Sequence, residues 1–263
     1  MWRRRHIGVK IAGYVLLLLL AIPLIVLVGV SLNPGVEQIF PPQGISLRWY
    51  YNLANRSGFI GALQLTLILA VGSTIVSTTI GLLVGIALTR FEFWGKDLIL
   101  TLILSPLIVP QVVVGMAFLV TLSGLGVVSS LLSLSLLHCV ITLPFTARAV
   151  VSALATSSRS LEEAAQSLGA TPARAFLSVT LPIVSPGVIA AAIFAFVTSF
   201  ENFTASQFLV WDRTTLPVEL YNYVQTESDP TAAALSSLIL LPVVLFVVVF
   251  NRFIAQHMFS GRL

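Results

Sequence analysis

Charge is what this sequence has least of. Only 9% of its 263 residues are Asp, Glu, Lys or Arg, against 57% hydrophobic. Soluble domains carry about 25% charged residues, so a water-facing globule is excluded. A mean hydropathy of +1.00 puts the chain in a lipid bilayer. Cysteine is nearly absent: Cys139 stands alone in an apolar run, so no internal disulfide and no thiol-based zinc or redox pair can form. No G-x-x-x-x-G-K-[ST] occurs, which removes that route to ATP hydrolysis. Nor is there an H-E-x-x-H or a G-x-S-x-G, so protease and hydrolase signatures are missing. His138 and Cys139 are the one neighbouring base and thiol. Adjacent residues on a helix point about 100° apart, which argues against a catalytic pair. An enzyme is not expected, and neither is a metal site.

What is present is apolar sequence in long runs. Six spans are expected, at about 11–31, 60–88, 98–121, 127–147, 184–208 and 233–253, each near the ~20 residues that cross a bilayer as a helix. The first run is too long for a signal-peptide core of about 7–15 residues and reads as an uncleaved span. No repeat, low-complexity tract or soluble insert breaks the series, so residues 1–263 read as one all-α, polytopic membrane domain. With the N-terminus cytoplasmic, Arg3, Arg4, Arg5, Lys10, Arg90, Lys96, Arg148, Arg159, Arg174, Arg252 and Arg262 fall inside. Arg48, Arg56 and Arg213 fall outside, so both termini are placed in the cytoplasm. The net charge of +4 therefore reflects membrane orientation, not nucleic-acid binding. Trp49, Tyr50, Tyr51, Trp94, Trp211, Tyr221 and Tyr223 lie near span ends, where aromatic side chains favour the interface. The outer segments, 32–59 and 209–232, are each sized for a short surface helix.

One cytoplasmic segment interrupts the apolar run: EEAAQSLGATPARAFLSVTLP at 162–182. Ser160 and Glu163 have capping-box spacing. Glu162 and Glu163 suit the positive start of a helix. Gly169 can take the left-handed turn that ends it. Thr171 then caps a second helix with Pro172 at its first position. Leu181-Pro182 and Ser185-Pro186 mark the turn into span five. On the first helix Leu161, Ala164, Ala165 and Leu168 share a side, and the alanines leave room for close approach. A connector and a docking element both fit these residues.

The pattern Glu163-Ala164-Ala165, three residues, Gly169, nine residues, Val179-Thr180-Leu181-Pro182 resembles the EAA loop of binding-protein-dependent ABC importer permeases. Its one departure is Val179 where the family pattern has isoleucine. The resemblance runs from about residue 45 onward. It implies the type I ABC importer permease fold and a permease subunit in the inner membrane. The loop, about 157–182, would then be the coupling element, with Glu163, Ala164, Ala165, Gly169, Leu181 and Pro182 meeting a cytoplasmic ATPase dimer. The resemblance also implies a second, distinct but homologous permease subunit and an extracytoplasmic solute-binding protein. It implies no cofactor on this chain, ATP being bound by the partner subunit.

Glu201 and Asn202 fall inside expected span five, in SFENFTASQFL. A charge at mid-membrane costs about 2.5–3.5 kcal/mol on insertion scales and faces a bundle interior or cavity. Two roles stay open: a translocation path that accepts a cation, or a hydrogen bond to a neighbouring span. This stretch resembles the S-F-[DE]-[DEN] segment of polyamine-type permeases, as do residues 41–54 and 215–240, so the resemblance extends to a polyamine or similar cationic solute. An ion-coupled secondary carrier using Glu201 is the alternative, but paired repeats and broken helices are not legible in the sequence. His138 reads as a packed, hydrogen-bonded residue, Pro106 and Pro110 as a kink in span three, and Gly81 and Gly85 as helix-packing positions.

Overall fold

The computed structural model describes residues 2–241, with side chains from residue 8 onward. Among the described residues the secondary structure is helical throughout, without a strand. The helices are α1 (Trp2–Ser31), α2 (Arg48–Ala54), α3 (Ser57–Arg90), α4 (Lys96–Leu104), α5 (Gln111–Gly124), α6 (Ser130–Thr156), α7 (Arg159–Ser167), α8 (Pro172–Ala175), α9 (Leu181–Phe200) and α10 (Leu216–Thr226). A last apolar helix, α11, covers Thr231–Leu241. It is the start of expected span six. Residues 242–253 of that span, with Arg252 and Arg262, lie outside the described residues.

Four helices are long and apolar enough to cross a membrane: Gly8–Ser31, Ser57–Arg90, Ser130–Thr156 and Pro172–Phe200. A fifth span results if α4 and α5 count as one, but they meet at 101°. Expected span three is therefore broken outright, not kinked. Pro106 sits in a 3-10 turn at Ser105–Leu107, and Pro110 caps α5 from outside with an extended ψ of 133°. Two residues without amide hydrogens, four apart, leave the helical ladder no continuous path.

Contacts divide the chain into two units: residues up to 59 with those from 220 onward, and residues 60–219. In the first unit α1 presents its apolar surface outward, as a lipid-facing helix does; none of its most apolar stretch is buried. The segments after α1 and before α11 are knitted by polar and aromatic groups. Trp49 Nε1 donates to the Asn33 carbonyl at 2.6 Å, and Tyr50 OH lies 2.8 Å from Ser31 Oγ and 2.7 Å from Ser237 Oγ. Tyr223 packs at a tilt against Phe59 and lies under the Arg56 guanidinium, while its hydroxyl donates to Asp229. Trp49 and Tyr223 are thus buried, not anchors at a lipid interface. Trp94 is almost fully exposed between α3 and α4.

In the second unit α6 is the central element, packed along α9. One core cluster joins Leu65 and Leu69 of α3 to Leu134, Leu137 and Ile141 of α6 and to Ala205 and Leu209. A second joins Val150 and Leu154 of α6 to Val184 and Ala191 of α9. The start of α6 is held by the loop after α9. Asp212 Oδ1 accepts the Ser130 amide at 2.9 Å, and Ser130 Oγ accepts the amides of Trp211, Asp212 and Arg213. The Ser130 amide and hydroxyl hold the Asp212 carboxyl below the usual carboxylate range.

Candidate functional site

The interrupting loop begins at Ser158, which caps α7 with extended backbone but without a side-chain hydrogen bond. The expected capping box does not form. Ser160 lies inside the helix, and its hydroxyl pairs with that of Ser158 at 2.6 Å. Of the two glutamates expected in the first turn, Glu162 lies there and Glu163 falls just beyond it. Gly169 ends the helix at φ +91°, and its amide donates to the Gln166 carbonyl while Ala170 donates to Ala165. That is the paired-bond stop that glycine makes best, since a Cβ is penalised at this φ. Thr171 caps α8, its hydroxyl accepting from the Arg174 amide, with Pro172 first in the helix.

The second helix does not turn before span five. It runs without interruption from Pro172 to Phe200 through a π-helical stretch at Phe176–Thr180. Span five was expected to start near 184 because Pro182 and Pro186 read as breakers. The structure accommodates both prolines. The wide π turn precedes Pro182, and Ser185 Oγ donates to the Pro182 carbonyl, the acceptor that Pro186 cannot satisfy. Leu181 and Pro182 are therefore the first α9 residues of a continuous helix, not a hinge.

On α7 the side chains divide. Leu161, Ala164 and Leu168 are exposed, and Leu168 is 91% so. Ala165 is half-buried, and Glu163 faces solvent in an exposed pair with Arg159 at 3.2 Å. Such a pair adds little stability. Glu162 turns the other way, to Arg90 at the end of α3, 3.1 Å away. The two border a groove of about 520 Å³ whose other walls include Phe91, Gln166 and Phe176.

Glu201 and Asn202 lie at the far end of α9, about 30 Å from Leu181 by helical rise. They are not inside a span. The helix ends at Phe200, Glu201 is its C-cap, and the chain continues as a loop with a 3-10 turn at Ser206–Phe208. The two neighbours differ sharply. Glu201 is exposed, without an ion pair among the described residues. Asn202 is buried and bonded through both ends of its amide: its nitrogen donates to Gln111 Oε1 at 2.9 Å, and its oxygen accepts from the Ser206 amide and hydroxyl. Ser206 Oγ lies 3.0 Å from His138 Nε2, and Ser199 Oγ lies 2.6 Å from His138 Nδ1. Both ring nitrogens are thus engaged, as a packed histidine requires.

This node joins two interrupted segments. Gln111 is the first residue of α5 after its break, and Asn202 follows the end of α9. A Cβ on Gly115 would lie 2.7 Å from the Ala205 carbonyl, so α5 approaches the α9 loop backbone directly. Broken segments are thus present where the sequence showed none. Gln111, Ser199, Ser206 and Arg90 were not singled out as site residues. The available signal was Gln111 directly after Pro110, a polar start to an apolar helix. No cluster of His, Cys, Asp or Glu suited to a metal occurs among the described residues.

Comparison with known proteins adds the following. Residues 77–260 match the model of the family described as "Binding-protein-dependent transport system inner membrane component". The chain is 30% identical over 247 residues to the spermidine/putrescine transport system permease protein PotC of Escherichia coli K12, covering 92% of each chain. It is 30% identical over 226 residues to the putrescine transport system permease protein PotI of the same strain, covering 83% of this chain and 80% of that one. Among solved structures, a chain of a bacterial ABC transporter involved in import of the acidic polysaccharide alginate has a similar fold. Its TM-score is 0.72 at 15% identity, over 95% of this chain and 96% of that one.

Proposed function

This chain belongs to the family of inner membrane components of binding-protein-dependent transport systems, and from that premise we propose how its loop and its polar node divide the work. It is a permease subunit of an ATP-driven ABC importer, a multi-pass protein of the inner membrane, and ATP hydrolysis belongs to a separate subunit. Glu201 is therefore not needed as a coupling-ion site. The loop around α7 is the element that docks on the ATPase, from the cytoplasmic side, with both termini on that side. The observation that carries this reading is the exposed stripe of Leu161 and Ala164 on a nine-residue helix, continued by Leu168 at its C-cap. Three exposed apolar positions on a polar helix are a surface awaiting a partner. Ala164 and Ala165 permit close approach, Glu163 offers a carboxylate to a basic group, and Gly169 sets the angle to the helix that Leu181 and Pro182 continue.

Glu201 marks the translocation path, with Asn202 beside it held in the interior by Gln111 and Ser206, and the solute is a small cation of the polyamine class. The negative end of the α9 dipole and the exposed Glu201 carboxylate together favour positive charge. PotC and PotI, at 30% identity, carry spermidine/putrescine and putrescine transport in their names, which supports the same class here. A second, distinct permease subunit completes the path, and an extracytoplasmic binding protein delivers the solute.

The test is purification of the tagged chain from its native membrane in mild detergent. Expected is co-purification of a P-loop ATPase, lost in Gly169→Val. Valine meets no neighbour there, because nothing lies within 4 Å of the added Cβ, but its backbone resists φ +91°. A Gly169→Val chain that still binds the ATPase and supports normal uptake counts against the docking role.

A further inference from the structure

The ion pair between Arg90 and Glu162 stands apart from the other pairs of the described residues. Its side chains are only 13% and 14% exposed. At least one partner in each other pair is 38% exposed or more. It also joins distant elements: Arg90 is the last residue of α3, and Glu162 lies in the first turn of α7. Two charges taken this far out of water are costly unless each holds the other.

Helix α7 packs against α8 and the π-helical stretch that follows, and the ion pair is what ties it to α3. Its backbone links are non-helical at both ends: extended Ser157 and Ser158 before it, left-handed Gly169 after it. Its outward face is the unpartnered stripe. Across the groove toward α3, Glu162 supplies the ion pair. The heads lie at 3.1 Å without a well-aligned hydrogen bond, and Arg90 Nε has no acceptor. An arginine fork with unused donors can hold a carboxylate through a small shift without losing it. Beyond Arg90, α3 is seated on α6 through Gly81 and Gly85, where an added Cβ would fall 2.7 Å from Thr146 Oγ1 and 2.6 Å from Val150 Cγ1. Helix α6 carries His138, which reaches Ser199 and Ser206. Contacts therefore continue from the loop to the polar node.

We propose that the Arg90–Glu162 ion pair is a strut that makes α7 and α3 move as one body, so that a displacement of the docking helix reaches the spans instead of being taken up at its non-helical links. Arg90 and Glu162 are positioning residues; they need touch neither solute nor nucleotide. The inference rests on the docking reading above. Its test uses the purified complete transporter in lipid nanodiscs, on a Cys139→Ser background. Spin labels are placed at Leu83→Cys on α3 and Ser167→Cys on α7, both exposed. The strut requires the distance between labels to stay the same with and without ATP. In Arg90→Gln and in Glu162→Gln it should change by about 2–5 Å on adding ATP, between a small helix shift and a one-turn ratchet. In the exchanged pair, Arg90→Glu with Glu162→Arg, it should again stay fixed. Constant distance in both single variants, or a change in the unmodified pair, overturns the strut while leaving docking intact, provided the ATPase co-purifies. If no ATPase co-purifies with the unmodified chain, the docking reading falls and the strut falls with it. Two single variants and the exchange guard against one that fails to fold.

Discussion

Adjacent residues at the end of α9 illustrate how little a sequence position says about a side chain's environment. Glu201 and Asn202 read alike as polar residues inside a span. A helix that stops at Phe200 separates them, leaving Glu201 exposed and turning Asn202 into the protein interior. Of the two alternatives held open for the pair, the hydrogen bond is met at Asn202, and the proposed path role rests on Glu201. Asn202→Leu strands the Gln111 amide oxygen and two Ser206 donors, and should cost about 1–2 kcal/mol of stability, seen as a lower midpoint of thermal unfolding in detergent. Glu201→Gln should leave that midpoint unchanged and reduce uptake of labelled putrescine in proteoliposomes of the complete transporter. Unchanged uptake with Gln at 201 would remove the carboxylate from the path. His138 was legible as a packed residue, since a lone polar group in an apolar helix needs partners. Its partners were not, because Ser199 and Ser206 are 61 and 68 residues away and a hydroxyl in such a run looks inert.

At the scale of elements, the seam between α3 and α6 was legible in outline. Gly81 and Gly85, four apart, share one face of a helix. The structure adds what they meet: Thr146 and the Ala147 amide for one, Val150 and Leu154 for the other. Thr146 Oγ1 also donates to the Ser77 carbonyl at 2.7 Å, and Ser77 Oγ lies 2.6 Å from Thr142 Oγ1. Backbone approach and hydroxyl bonds, more than apolar burial, hold apolar helices together in lipid. Gly81→Ala brings its Cβ within 3.0 Å of backbone atoms that cannot rotate away. It should destabilise by about 1–3 kcal/mol. Gly72→Ala, on the same helix with open space, should be neutral or slightly stabilising. Equal unfolding midpoints for the two variants would contradict the seam. Element boundaries were less legible wherever proline was involved. Pro106 and Pro110 lie in the break between two helices, whereas Pro182 and Pro186 sit inside one. The difference lies in local compensation, a π turn and the Ser185 hydroxyl at one site, which is a property of three-dimensional geometry. The capping box failed for a related reason: Ser158 started α7 two residues before the Ser160 that the spacing favoured.

For the whole molecule, the all-helical class and the membrane follow from composition, because charge this scarce leaves no water-soluble alternative. The family was legible because the loop motif is long and gapped. Its glycine and Thr171-Pro172 cap appear in the structure as the stop and start that their chemistry demands. Orientation rests on the basic residues alone, and it can be tested directly. On a Cys139→Ser background, Ser167→Cys lies on α7 and Val36→Cys on the segment after α1; both positions are exposed. If the docking loop faces the cytoplasm, a membrane-impermeant maleimide added to intact cells should label position 36 and not 167. After the inner membrane is made permeable, both should react. Labelling of 167 in intact cells would put the loop outside. It would reverse the topology and separate the exposed Leu161–Ala164–Leu168 stripe from any cytoplasmic ATPase. A loop that docks on an ATPase can work only on the side where ATP is, so this one measurement constrains the orientation of every span and the coupling reading together.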